Sequence, residues 1–190
     1  MSQSWPLVGN EHISGYLERV VAGGNPAGTF IMAGPDNLGK TTVAGYFARC
    51  LLCSGRGSRV HACGTCPSCR KLTAEAGETG QAELGSLHGD VHILKKDKDK
   101  KNIGVEEVRD FIKQLNMSSF LGGYKIGIIK HADSLSLGAA NAVLKTLEEP
   151  KAGVVIVLVV TDLSSLPQTI ISRSQVLRFH PVPFDVIYDH

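Results

Sequence analysis

The residues best placed to do chemistry run from Gly34 to Thr41, Gly-Pro-Asp-Asn-Leu-Gly-Lys-Thr. The pattern is G-x-x-x-x-G-K-[ST], a phosphate-binding loop between a strand and a helix. Glycines let the backbone curl so that successive N–H groups face phosphate oxygens. The helix that begins at the loop adds its positive dipole end. In such a loop Lys40 reaches the β- and γ-phosphates, and the Thr41 hydroxyl sits on Mg2+. The plain alternative is a glycine turn ahead of an ordinary helix. The apolar run before the loop and the helix-like stretch after it argue for the phosphate loop.

A second set of reactive side chains follows. Cys53, Cys63, Cys66 and Cys69 read C-x9-C-x2-C-x2-C. Two-residue gaps let neighbouring thiolates converge on one tetrahedral Zn2+, and four cysteines leave no open position, so the site is expected to be structural. Free thiols in a loop are the alternative, but cysteine favours burial and the stretch from Ser54 to Arg70 offers almost no core. Cys50 and His61 compete as ligands. The place of Cys50 inside an apolar helix favours a core residue. Arg56, Arg59, Arg70 and Lys71 surround the cluster, and solvated charge accounts for them more simply than contact with nucleic acid.

Elements that could hold these groups can be read from periodicity. Glu11 to Val21 has helical spacing, with Ile13, Tyr16, Leu17, Val20 and Val21 on one side. Thr29 to Ala33 reads as a buried strand feeding the loop, and Thr41 to Leu52 as the helix after it, with Val43, Phe47, Leu51 and Leu52 toward a core. Leu72 to Gly89 reads as a short helix and loop. Val91 to Leu94, Lys125 to Ile129, Val154 to Val160 and Gln175 to Phe179 read as strands. Val154 to Val160 is continuously apolar, as in a parallel strand buried on both faces. Helices are expected over Val105 to Leu115, with Val105, Val108, Ile112 and Leu115 on one face, over Leu137 to Leu147, closed by Glu148-Glu149-Pro150, and over Leu166 to Ile171. Lys95 to Lys101, KKDKDKK, reads as a solvated loop. Strands alternating with helices predict a doubly wound α/β sheet, with ligands beyond the carboxyl ends of its strands.

The totals agree with a folded α/β protein. The chain has 190 residues, 43% hydrophobic and 20% charged, with a net charge of +2. That charge neither requires nor excludes a nucleic-acid partner. Met1 to Gly9 lacks the basic and apolar regions of a signal peptide, and Val154 to Val160 is too short to span a bilayer. Five cysteines in that context favour a metal site over disulfides. The expectation is a cytoplasmic protein without a membrane partner.

Taken together, these parts resemble the N-terminal module of a bacterial DNA polymerase III clamp-loader subunit, an AAA+ protein. The resemblance covers nearly the whole chain. It runs through LVGNEH, the phosphate loop, the four-cysteine insertion, IGVEEVRDFI, GGYKIGII, ANAVLKTLEEP and LPQTIISRSQVLRF. It implies a P-loop NTPase of AAA+ type, a three-layer α/β/α fold with a mainly parallel sheet and an inserted zinc module over about 53–70. Residues 1–190 would form this one module, with the family's lid and collar domains absent from this chain. The nucleotide-binding positions it implies are Val8, Gly34, Asn37, Gly39, Lys40, Thr41, Thr42 and Thr161, the last a sensor position for a γ-phosphate or water.

Two kinds of subunit share this plan. Gamma/tau subunits hydrolyse ATP, whereas delta-prime subunits are usually poor ATPases that supply an arginine to a neighbour. Where the active subunit carries Asp-Glu after its third strand, this chain has Lys130-His131. A lysine there repels Mg2+, and a neutral histidine is a poor substitute for a carboxylate that orients water. Asp133, close by, would rescue the site only if the strand ended late, and reads as a turn or cap residue. In Ser172-Arg173-Ser174 the arginine matches the family's Ser-Arg-Cys motif, and Ser174 replaces the cysteine.

The resemblance therefore implies a delta-prime-like subunit that helps load the sliding clamp onto primed DNA, deficient in ATPase itself, with Arg173 acting on a neighbouring subunit's nucleotide. The alternative is a gamma/tau-like, ATP-hydrolysing motor, which the intact Lys40-Thr41 keeps open. Implied cofactors are a structural Zn2+ and ATP or ADP, with Mg2+ disfavoured. Implied partners are the other loader subunits in a hetero-oligomeric ring, the sliding clamp and, through the complex, primer-template DNA. DNA-polymerase activity would reside in other subunits.

Overall fold

A computed structural model describes residues 5–183 except 25, 27, 73–74, 77–81, 84–87, 98, 120–122 and 149–150. In chain order the elements are α1 (Glu11–Ala22), β1 (Gly28–Ala33), α2 (Lys40–Leu52), α3 (Pro67–Lys71), β2 (Glu75–Ala76), β3 (Ala82–Glu83) and β4 (Val91–Leu94). There follow α4 (Val105–Asn116), β5 (Lys125–Ile129), α5 (Leu137–Glu148), β6 (Val154–Val160), α6 (Gln168–Ile171) and β7 (Ser174–Arg178). The chain divides into two compact units. One comprises Ala27–Gly34 and Gly89–Arg178, the other Met1–Pro26, Pro35–His88 and Phe179–His190.

The first of these units is built on a five-stranded sheet in the order β4-β5-β6-β1-β7. Every pairing in it is parallel, so the expected α/β class with a parallel sheet is found. All seven residues of β6 are buried, as their unbroken apolar run requires. A core runs from β1, β5 and β6 into α4 and α5 and includes Ile31, Ile129, Ile156, Val108, Val143 and Leu147. On α4 the fully packed residues are Val108, Phe111 and Leu115. Phe111 belongs to that face although the helical count above passed over it, while Val105 and Ile112 are half-buried.

Helix α4 starts where Glu107 turns back on its own first turn. Its carboxylate accepts from the Gly104 N–H at 2.6 Å and from Lys100 Nζ at 2.7 Å. Lys100 first, and the Gly104 N–H second, hold the Glu107 carboxyl below its usual range. The described residues of the 95–101 run are otherwise exposed, as a solvated loop should be.

Helices α1, α2 and α3 belong to the other unit. Ile13, Leu17 and Val21 form the buried face of α1. Val43, Phe47, Leu51 and Leu52 of α2 are buried as expected, with Cys50 among them. Trp5, ahead of α1, donates its indole N–H to Glu18 at 3.1 Å and meets the Tyr46 ring edge-on at 5.0 Å. Two expectations change here. The cysteine-rich insertion contains a short helix, α3, with Pro67 at its first turn, where a missing N–H costs nothing. The 72–89 stretch, expected to hold a short helix, instead carries an antiparallel pairing of β2 with β3, and no helix follows α3 there among the described residues. Most of that stretch, together with Lys98 and the Glu149-Pro150 expected to close α5, lies outside the described residues. Among the described residues no helix is long and apolar enough to cross a membrane.

Candidate functional site

The phosphate loop has the backbone its sequence calls for. Gly34 follows β1 directly and donates its N–H to Val160 O at 3.3 Å. Asn37 has φ 62° and Gly39 has φ 76°, left-handed values that curl the loop before α2 begins at Lys40. Glycine takes that conformation without steric cost. Lys40 is only 6% exposed, and its Nζ donates back to Pro35 O. Thr41 is half-buried and Thr42 exposed in the first turn of α2, and Val8 is half-buried in the lead-in to α1. Beside Val8, Asn10 grips the backbone of His180 twice. Its Nδ2 donates to His180 O at 3.0 Å, and its Oδ1 accepts the His180 N–H at 2.8 Å. A cavity of about 370 Å³ lies between Gly9–His12 and His180–Pro183.

Lys130 directly follows β5, where an acidic pair was noted as missing, and its N–H donates to Leu94 O at 2.8 Å. His131 is exposed, with φ 52°. The chain then makes a single 3-10 turn over Ala132–Ser134, so Asp133 is a turn residue, as its position suggested. Sequence reasoning missed its partner. Thr161 Oγ1, just past β6, donates to Asp133 Oδ2 at 2.9 Å. The other carboxylate oxygen, Oδ1, is buried without a hydrogen-bond partner.

Arg173 lies just past α6 with its side chain 42% exposed. One guanidinium nitrogen donates to Thr169 O at 3.3 Å, and the other lies 3.5 Å from Glu148 Oε1 at the end of α5. Neither Glu148 nor Asp133 could be matched to its partner from spacing, because both contacts depend on how distant strands and helices come together.

The cysteines converge as their spacing predicts. The sulfurs of Cys53, Cys63, Cys66 and Cys69 all lie within 4.8 Å of one another, and none forms a disulfide. Four thiolates around a tetrahedral Zn2+ would stand roughly 3.8 Å apart, and the sulfurs of Cys66 and Cys53 are 3.9 Å apart. The N–H groups of Cys63, Cys66 and Cys69 point at the sulfurs of Cys53, Cys63 and Cys66 at 3.2, 3.3 and 3.4 Å. Such donors stabilise thiolate charge. Burial works against the Cys66 thiolate, yet the Cys69 N–H and the Ser54 hydroxyl outweigh it and bring the group down to about 5. The N–H groups of Cys66 and Thr65 lower Cys63 to about 7. The donor set therefore fits a four-coordinate metal.

Cys50 stands outside this group. It is fully buried, and burial pushes its thiol up to about 11, which suits the core role expected for it. His61 is not a member either, and its Nε2 faces Glu18 at 3.7 Å. Arg56 does more than carry solvated charge, since it donates to Cys50 O at 3.1 Å and ties the insertion to α2. Arg70 and Lys71 are exposed.

Comparison with known proteins agrees with this arrangement. The family described as "DNA polymerase III, delta subunit" matches residues 9–183. The delta-prime subunit of DNA polymerase III from Pseudomonas aeruginosa is 34% identical over 77% of this chain and 41% of its own length. The tau subunit from Bacillus subtilis is 31% identical over 95% of this chain and 30% of its own length. The chain thus spans well under half the length of these relatives. Among solved structures, a DNA polymerase III gamma-subunit-related protein from Thermotoga maritima superposes with TM-score 0.60 at 24% identity, over 90% of this chain and 46% of its own. A RuvB variant from the same organism gives TM-score 0.61 at 16% identity, over 98% of this chain and 52% of its own, a likeness of fold alone. The chain belongs to the DNA polymerase III delta-subunit family, and among clamp-loader subunits it is delta-prime-like.

Proposed function

We propose that this chain is the nucleotide-loop module of a delta-prime-like subunit that helps load the sliding clamp onto primed DNA in the cytoplasm, within a ring of other loader subunits. It contributes little ATP hydrolysis of its own. The observation that carries this reading is the end of β5. There Lys130 and His131 occupy the positions at which a motor subunit needs two carboxylates, and the nearby Asp133 is engaged by Thr161. Without a metal anchor and a group to orient water, phosphoryl transfer loses most of its catalysis. The loop, through Gly34, Asn37, Gly39, Lys40, Thr41 and Thr42, together with Val8 and Thr161, holds ATP or ADP as a structural ligand. Cys53, Cys63, Cys66 and Cys69 hold a structural Zn2+. Arg173, exposed and cationic, acts in trans on a neighbour's γ-phosphate, a contribution worth ~10³-fold or more in rate for such arginines.

A gamma/tau-like motor remains the second reading. The intact Lys40-Thr41 and the tau relatives favour it. Steady-state hydrolysis separates the two. The full-length subunit alone should turn over ATP near background, and Mg2+-dependent turnover abolished by Lys40→Ala would establish the motor instead. In the reconstituted loader, Arg173→Ala should lower ATPase activity while leaving metal content and fold intact. Unchanged loader activity would remove the trans role.

A further inference from the structure

The buried indole of Trp5 and the cysteine insertion meet at one carboxylate. Trp5, Glu18 of α1, Tyr46 of α2 and His61 of the insertion all belong to the unit that includes Met1–Pro26 and Pro35–His88. Trp5 is 6% exposed and donates its indole N–H to Glu18 Oε1 at 3.1 Å. The same oxygen lies 3.7 Å from His61 Nε2. Glu18 thus faces the lead-in to α1 on one side and the insertion on the other. The second ring nitrogen of His61, Nδ1, is buried without a hydrogen-bond partner, so no bond on that side fixes the ring.

His61 stands in the nine-residue stretch between Cys53 and Cys63, which contains Gly55 and Gly57. Glycines raise the conformational entropy lost when such a stretch is ordered. Its two ends are brought together where the Cys63 N–H meets the Cys53 sulfur at 3.2 Å. Both sulfurs belong to the group of four that lie within 4.8 Å of one another. In a site of this kind the free energy of metal binding is spent on folding the ligand-bearing chain. Near its start the stretch is seated on α2, where Arg56 donates to Cys50 O at 3.1 Å. Near its end His61 reaches α1 through Glu18. The insertion therefore touches two helices, and Trp5 is packed between their side chains, bonded to Glu18 and edge-on to Tyr46.

We propose that the insertion is a metal-dependent clasp: with its cysteines closed on a metal ion it presents His61 to Glu18, and so holds α1 and the Trp5 lead-in against α2. This rests on the reading of Cys53, Cys63, Cys66 and Cys69 as a metal site. The link is a part-exposed contact, with the His61 side chain 24% and the Glu18 side chain 38% exposed, so its strength is modest. It is also reciprocal. Whatever order the bound metal adds to the lead-in, the Glu18 contact returns as metal affinity.

Trp5 is the single tryptophan of the chain, so its fluorescence reports on this place alone. Emission and acrylamide quenching of the full chain are read with zinc bound and after extraction by a chelator. Extraction should shift the emission to the red and raise the quenching, and added zinc should reverse both. His61→Ala should retain zinc by elemental analysis, show part of the red shift with zinc bound, and respond less to extraction. Glu18→Ala should weaken zinc affinity by about two- to fivefold, the scale of one part-exposed ion-pair contact. Competition with a chromophoric chelator measures this, and it tests the clasp even if His61→Ala fails to fold. A Trp5 signal indifferent to extraction, a zinc-loaded His61→Ala with the wild-type signal and response, or a Glu18→Ala with unchanged zinc affinity would overturn the clasp alone. A wild type that holds no zinc, indistinguishable from Cys66→Ser, would overturn the metal reading and the clasp with it.

Discussion

The ammonium group of Lys125 lies 3.3 Å from Nε2 of His92, across the pair formed by β5 and β4, and donates onward to Gln114 O at 3.0 Å. Lys125 is 3% exposed, so this cation is held against the imidazole in a buried setting. Burial first, and the Lys125 charge second, hold His92 below its ordinary value of 6.5.

The consequence is a stability that depends on pH. In the folded chain His92 stays neutral, whereas in the unfolded chain it protonates at its ordinary value. As pH falls below 6.5 the unfolded state takes up a proton that the folded state refuses. The His92 contribution is therefore fully present above pH 6.5 and is lost as pH falls toward the folded value. Denaturant unfolding between about pH 7 and pH 5 should show this decline, and His92→Gln should flatten it. An equal slope in the variant would show that other groups set the acid sensitivity.

Helix α4 packs tightly over Gly127. A Cβ added there would lie 2.6 Å from Phe111 Cζ and 2.7 Å from Leu115 Cδ1. Gly127→Ala should cost ~1–3 kcal/mol by overpacking, read as a lower denaturation midpoint with an unchanged slope. A variant as stable as the wild type would mean that α4 yields easily.

Metal removal should act first on the cysteine insertion. Elemental analysis should find about one zinc per chain. Extraction by a chelator should make Cys63 and Cys66, partly exposed and with lowered thiol pKa values, react fast, while Cys53, Cys69 and Cys50, buried and with raised thiol pKa values, react slowly. Cys66→Ser should weaken metal affinity by more than the ~10–100-fold typical of losing an outer-shell partner. A variant that retains zinc at wild-type affinity would rule out the four-sulfur site.

Elements whose burial is carried by one short stretch were legible in the sequence. Val154 to Val160 could hardly be anything but a buried strand, and the Gly34–Thr41 motif fixed a strand on one side and a helix on the other. Elements set by distant partners were not. Helix α3 sits within a stretch with little apolar periodicity to show it, among cysteines that converge on one another. Phe111 was passed over because the helical count followed Val108 to Ile112, while the chain turns Phe111 toward the space left by Gly127. The Thr161–Asp133 bond joins residues 28 apart in sequence, whose meeting depends on the parallel pairing of β5 with β6. The four-cysteine group was legible because spacing alone brings three of its members together.

The sheet order also sets a timetable for folding. Strand β1 lies between β6 and β7, yet it ends at Ala33 while β6 begins only at Val154. During synthesis at roughly 5–20 residues per second, the apolar run from Phe30 to Ala33 waits on the order of 10 s for the first strand that can cover it. Pairings of such long sequence separation are slow and prone to aggregation while unmade. The four-cysteine group, complete within a short span of chain, could close on a metal ion long before then. It would give the nascent chain a folded landmark next to α2 while β1 is still unpaired.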